Sequence, residues 1–172
     1  MSNSNNKFYN IITYGCQMNE HDSEKLAGML EKMGYSKTDK NEEADIILFN
    51  TCVIRENAEL KVFGKVGSLK KLKEKNPDLI IGIGGCMMQV EETVKKIHNK
   101  FPYVDLVFGT HNIHRVPKLI KEIQEQKDRV FEVWPEEDGL IPETPIKRKG
   151  DFKAWVSIIQ GCNNFCSYCI VP

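Results

Sequence analysis

Short apolar runs alternate with longer amphipathic segments along most of the chain. Four runs rich in β-branched or aromatic residues, at 8–13, 45–50, 79–83 and 104–108, predict buried strands, and a weaker run at 129–133 adds a fifth. Between these runs apolar residues recur at helical spacing. The pattern predicts helices before Gly34 and over residues 55–75, 89–98 and 113–126.

Strands that alternate with helices at this spacing predict an α/β fold. Successive strands joined by right-handed crossovers form a mostly parallel sheet with helices on both faces. The pattern ends at Val133, and the prolines and basic residues of 134–150 predict a linker. We expect a first domain over 1–133 and, at 151–172, the truncated start of a second domain with a strand at 154–159.

Composition and charge narrow the class of protein. The 24 Lys and Arg residues balance 24 Asp and Glu residues, so any contact with nucleic acid must come from local basic clusters. No apolar run approaches the roughly 18 residues of a membrane span. The polar first residues do not resemble a secretory signal. We therefore expect a cytoplasmic protein that does not bind membranes.

Three of the six cysteines stand in one short Cys-x3-Cys-x2-Cys segment: Cys162, Cys166 and Cys169. In a reducing compartment cysteines are more often metal ligands or reactive thiols than disulfides. Three thiolates can hold three irons of a [4Fe-4S] cluster and leave the fourth iron open. A zinc site or a redox pair at Cys166 and Cys169 are the alternatives, although zinc requires a fourth ligand that is not close in sequence.

The other three cysteines each follow a predicted strand: Cys16, Cys52 and Cys86. The carboxyl ends of parallel strands share one edge of a sheet, so these thiols could converge on one cluster with an open iron. A single cysteine after a strand is most often a small buried residue. Three in register are harder to explain in that way, and nearby glycines suit close approach of a bulky cofactor: Gly15, Gly84 and Gly85.

Four segments resemble the methylthiotransferase family of radical S-adenosylmethionine (SAM) enzymes. They are YGCQMNEHDSE at 14–24, NTCVIRENA at 50–58, GGCMMQ at 84–89 and GCNNFCSYCIVP at 161–172. The members that modify ribosomal protein S12 carry Pro and Lys after the first cysteine, and those that modify threonylcarbamoyladenosine carry Lys-Val-Asn. Here Gln-Met-Asn-Glu follows, so the chain is most similar to the members that modify isopentenyladenosine in tRNA.

The resemblance implies two [4Fe-4S] clusters and SAM as cofactors. Cys162, Cys166 and Cys169 would hold the radical SAM cluster, and Cys16, Cys52 and Cys86 would hold the auxiliary cluster that carries sulfur. The implied reaction is methylthiolation of C2 of N6-(dimethylallyl)adenosine next to the anticodon. The implied partners are tRNA and an electron donor such as a flavodoxin.

The resemblance also implies that the chain is an N-terminal fragment. The family continues with the rest of a SAM barrel and a small RNA-binding barrel, so we expect the fragment itself to be inactive. Methylthiotransfer to ribosomal protein S12 or to threonylcarbamoyladenosine tRNA remains an alternative. An alternative of another class is a non-catalytic iron–sulfur or zinc-binding scaffold.

Several weaker features have ordinary structural explanations beside functional ones. The lysines within 61–75, with the basic residues 147–149, could contact tRNA phosphates, although a solvated helix face is favoured. For His111 and His114 a place at a helix start is favoured over metal binding. Asn19 and Arg55 could hydrogen-bond cluster sulfurs or substrate, or act in helix capping and in a salt bridge respectively.

Overall fold

The computed structural model describes residues 6–53, 58–136, 143–150, 152–158, 161–162 and 164–169. The strands are β1 (Lys7–Tyr14), β2 (Tyr35–Lys37), β3 (Ile46–Thr51), β4 (Ile80–Gly85), β5 (Leu106–Phe108) and β6 (Val130–Glu132). The helices are α1 (Gln17–Lys32), α2 (Ala58–Ser68), α3 (Lys70–Lys75), α4 (Glu91–Lys100) and α5 (Val116–Gln126). Short 3-10 turns lie at Asn41–Glu43, Cys86–Gln89 and Ile113–Arg115.

The six strands form one parallel sheet in the order β2-β1-β3-β4-β5-β6. One core lies where α1 and α5 pack on the sheet, and a second core lies beneath α2, α3 and α4. All residues of the central strands β3 and β4 are buried, because helices cover both faces. The predicted α/β fold with a parallel sheet is confirmed.

Two elements of the sheet domain differ from the prediction. The edge strand β2 was not predicted from sequence. Only Tyr35 of its three residues is buried, and so short a segment shows no alternation of apolar and polar residues that would indicate a strand. The helix predicted over 55–75 is two helices, and its first residues lie outside the described part of the chain. Gly67 and Ser68 favour the break: both have low helix propensity, and the Ser68 hydroxyl donates to the Lys65 carbonyl at 2.6 Å.

The strand predicted at 154–159 is wrong over the residues that are described. Residues 152–158 carry no strand, and Ile159 lies outside the described part of the chain. Val156 and Ile158 are exposed. A β-strand needs a neighbouring strand to satisfy its backbone hydrogen bonds, and the apolar pattern of this segment does not supply one.

Residues 143–150, which we call the strap, lie against α1. The Lys147 N–H donates to the Glu24 carbonyl at 2.9 Å, and the Lys149 N–H donates to Glu24 Oε1 at 3.3 Å. The ammonium groups of Lys147 and Lys149 form ion pairs with Glu31 and Glu20. The strap therefore lies within the predicted linker, and its basic residues contact α1.

Within the described residues, no helix is both long enough and apolar enough to span a bilayer.

A candidate cysteine site at the carboxyl edge of the sheet

Three neighbouring strands end in register at the same edge of the sheet. Tyr14 of β1 pairs with Thr51 of β3, and Thr51 pairs with Gly85 of β4. Cys52 and Cys86 follow the ends of β3 and β4 directly, and Cys16 follows the end of β1 after Gly15. The chain leaves β1 toward β2 on one side and returns to β3 on the other, so this edge is a topological switch point, where open α/β sheets commonly bind ligands.

The environment of Cys86 links the three thiols. The Val53 N–H donates to Cys86 Sγ at 3.2 Å, and the Cys86 thiol donates to the Thr51 carbonyl at 3.6 Å. Burial raises the pKa of Cys86 to about 11, and interaction with Cys52 and Cys16 adds to the rise, while the Val53 N–H opposes it. Cys52 is buried, whereas Cys16 and Cys86 are half-buried and reachable from solvent.

Two buried asparagines join the strand ends below the thiols. Asn19 Nδ2 donates to Asn50 Oδ1 at 3.0 Å and to the Thr51 carbonyl at 3.1 Å. Asn50 Nδ2 donates to the Asn19 carbonyl at 2.8 Å and to Ser23 Oγ at 3.0 Å. Asn19 Oδ1 accepts the Cys16 N–H at 3.1 Å. Asn19 thus caps the N-terminus of α1, which confirms the helix-capping role predicted from sequence, and its side chain also bonds to β3.

The glycines next to the cysteines make room for protein groups. Gly85 has φ +99°, and a Cβ there would meet the Thr51 carbonyl and lie 2.6 Å from Asn50 Oδ1. A Cβ on Gly15 would overlap the Asn19 side chain, and one on Gly84 would overlap the Phe108 ring. The space beside each glycine is thus filled by protein groups, and not by the cofactor for which the sequence suggested these glycines.

Three thiols at one edge are soft donors of the kind that iron–sulfur clusters use. Each thiolate of a [4Fe-4S] cluster binds a different iron, so such a group does not require three sulfurs around one point. Among the described residues, no three His, Cys, Asp or Glu side chains stand close enough to hold a single metal ion. The donor type of these thiols and the partial accessibility of Cys16 and Cys86 make the three cysteines candidate cluster ligands.

The second cysteine set lies on an open turn. Cys166 and Cys169 are exposed, and Cys162 is half-buried. The Cys169 N–H donates to the Cys166 carbonyl at 2.9 Å, and Asn164 Nδ2 donates to Cys162 Sγ at 3.3 Å. This turn keeps two of its thiols on the surface.

The weaker predicted residues have mixed outcomes. His114 lies in the 3-10 turn before α5, and its ring meets the Trp134 ring edge-on, with centroids 5.6 Å apart. His111 lies in the turn before it. Arg55 lies outside the described residues. Lys73 pairs with Asp105 at 2.9 Å, so this lysine has a structural role.

Sequence reasoning assigned no role to Asn50, Thr51 or Ser23. A signal was nevertheless present, because Asn50 and Thr51 are polar residues that end an otherwise apolar strand directly before Cys52. Buried polar groups require hydrogen-bond partners, so such a pair predicts a local network.

The fold and site define a class of protein: a parallel α/β domain with three strand-end cysteines beside its topological switch point. Residues 8–109 match the Uncharacterized protein family UPF0004, and the chain belongs to this family.

Curated relatives carry a common name, tRNA-2-methylthio-N(6)-dimethylallyladenosine synthase. The protein from Desulforamulus reducens is 58% identical over 98% of this chain, and that from Alkaliphilus oremlandii is 59% identical over 97%. The protein from Geobacillus kaustophilus is 58% identical over 96%. The chain spans 37%, 36% and 31% of these three relatives, respectively.

Proposed function

We propose that the chain forms part of a radical SAM methylthiotransferase that modifies C2 of N6-(dimethylallyl)adenosine in tRNA. The observation that carries the proposal is the in-register ending of β1, β3 and β4 at three interacting cysteines. The names of relatives at 58% and 59% identity support the substrate. In this proposal the enzyme works in the cytoplasm with tRNA and an electron donor such as a flavodoxin.

In this proposal Cys16, Cys52 and Cys86 hold an auxiliary [4Fe-4S] cluster, and Cys162, Cys166 and Cys169 hold the radical SAM cluster. When bound, the clusters and SAM supply the sulfur and radical chemistry that replaces an unactivated aromatic C–H, which side-chain acids and bases cannot do. The organisation that we propose is a sheet domain over 1–133, a linker over 134–150 and the start of the SAM domain over 151–172.

The protein's own groups act in both directions on ligation at the strand-end site. A thiol must lose its proton to bind iron, and burial raises the pKa of Cys86 to about 11, which opposes that loss. The Val53 N–H, 3.2 Å from Cys86 Sγ, stabilises the thiolate form. Burial of Cys52 limits water at the inner side of the site, while half-buried Cys16 and Cys86 leave its outer side open.

The two cysteine sets should contribute separately to turnover, because one set needs the folded sheet and the other shares a short segment. The test uses a protein of the relatives' full length that contains this chain, with SAM, reductant and tRNA bearing isopentenyladenosine. Cys86→Ala should retain cleavage of SAM to 5′-deoxyadenosine and lose the methylthiolated nucleoside. Cys166→Ala should lose both products.

Chromatography of both products from the same reaction makes this comparison. Gly64→Ala is a suitable control, because a Cβ at Gly64 in α2 meets nothing within 4 Å. Methylthiolated nucleoside from the Cys86→Ala protein would contradict the role proposed for the strand-end cysteines.

A further inference from the structure

The buried amides below the strand-end cysteines use every polar side-chain atom in one closed network. Both side-chain atoms of Asn19 and both of Asn50 make hydrogen bonds of 3.1 Å or shorter. Both residues are buried. Hydrogen bonds to all four atoms fix the orientation of each amide, because a flipped amide would turn donors toward donors.

This network reaches each of the three cysteine segments. Asn19 Oδ1 fixes the Cys16 N–H, and Asn19 Nδ2 fixes the carbonyl of Thr51, the residue before Cys52. The same Thr51 carbonyl accepts the Cys86 thiol, and the Thr51 hydroxyl donates to the Gly84 carbonyl at 2.8 Å. The amide pair thus bonds the Cys16 and Cys52 segments directly, and Thr51 connects both to the Cys86 segment.

We propose that Asn19 and Asn50 are positioning residues that hold Cys16, Cys52 and Cys86 at the spacing of a cluster. This inference rests on the proposed function, because it assumes that these cysteines bind iron. Groups that orient metal ligands commonly affect metal retention by about 10- to 100-fold without touching the metal.

Amides suit this position better than carboxylates do. Asparagine supplies both a donor and an acceptor, and the reciprocal Asn19–Asn50 pair needs both. It also carries no charge. A carboxylate here would add negative charge beside three thiolates and oppose their ionisation.

The test uses the full chain with Cys162, Cys166 and Cys169 all changed to Ala, so that only the strand-end site can bind a cluster. This parent and its Asn19→Ala and Asn50→Ala variants are reconstituted anaerobically with ferrous iron and sulfide. Iron release to a coloured chelator, the electron paramagnetic resonance spectrum of the reduced cluster and the Tm are measured for each.

Asn10→Ala is the matched control. Asn10 is also a buried asparagine, and it lies in β1, but its amide bonds to Asn41 Oδ1 at 2.8 Å and not to a cysteine segment. Thr51→Val is a milder variant that retains side-chain shape while removing the bond to the Gly84 carbonyl. If a variant at Asn19 or Asn50 does not fold, Ser23→Ala replaces it in the test, because it removes the acceptor of one Asn50 Nδ2 bond, and it should also release iron faster than Asn10→Ala.

We expect the folded Asn19 and Asn50 variants to release iron at least about tenfold faster than Asn10→Ala, with a shifted resonance spectrum. Thr51→Val should show a smaller acceleration. Release rates and spectra equal to the control in all folded variants, even with lowered Tm, would assign the amides a merely structural role and overturn the inference alone. A parent that binds no iron would overturn the proposed cluster site and this inference with it.

Discussion

Gly85→Ala tests the packing of the three strand ends most sharply. Gly85 has φ +99°, where a side chain adds strain of about 1 to 3 kcal/mol. The new Cβ would also meet the Thr51 carbonyl and lie 2.6 Å from Asn50 Oδ1, which disturbs hydrogen bonds worth about 1 kcal/mol each. Together these effects predict a loss of about 2 to 4 kcal/mol in the free energy of unfolding.

Urea unfolding followed by circular dichroism measures this loss in the full chain. Gly64→Ala is the control, because the added Cβ meets nothing within 4 Å and alanine is the better helix former by up to about 1 kcal/mol. The two substitutions should therefore change stability in opposite directions. Equal free energies of unfolding for the two variants would refute the tight packing of Gly85 against Thr51 and Asn50.

Three further predictions concern the strap, pH and folding without metal. A Cβ on Gly28 would lie 2.6 Å from the Pro145 carbonyl carbon, so Gly28→Ala should release the strap from α1. Loss of the two backbone hydrogen bonds of the strap, worth about 1.4 kcal/mol together, should speed tryptic cleavage at 147–149 about tenfold. Unchanged cleavage would contradict this. Burial and the charges of Lys25 and Arg148 lower the pKa of His21, while Asp22 and Glu24 oppose this decrease. The native state therefore binds a proton at His21 less readily than the unfolded state does. Stability should thus fall as pH drops below about 6.5, and His21→Gln should flatten the Tm profile between about pH 5 and 7.5; an unchanged slope would oppose this. The sheet has two apolar cores independent of the thiols, so joint replacement of Cys16, Cys52 and Cys86 by Ala should preserve the far-ultraviolet circular dichroism spectrum; a coil spectrum would contradict it.

The parts of the fold that follow from periodic burial were predictable from sequence. The central strands are buried on both faces, and their continuous apolar runs predicted both the strands and the parallel sheet. The three-residue edge strand β2 carries too little pattern to detect. For the segment 154–158 the opposite error occurs: its apolar residues predicted a strand, but the described part of the chain supplies no neighbouring strand with which it pairs.

The placement of Cys16, Cys52 and Cys86 at strand ends and the capping role of Asn19 were predictable from sequence. The reciprocal bonds between Asn19 and Asn50 join residues 31 positions apart, and no local pattern specifies such a pair. The docking of the strap on α1 is likewise a tertiary event, since Lys149 meets Glu20 across 129 positions. The basic residues at 147–149 were interpreted from sequence as possible contacts for tRNA phosphates. In the structure Lys147 and Lys149 pair with carboxylates of α1.

Iron and sulfide analysis of four versions of the chain tests the central claim most directly. Anaerobically reconstituted chain with all six cysteines should hold two clusters, or about eight irons. Replacement of Cys16, Cys52 and Cys86 by Ala should leave about four irons, as should replacement of Cys162, Cys166 and Cys169, and replacement of all six should leave none. Iron content unaffected by loss of the strand-end cysteines would contradict the account of the sheet edge as a cluster site.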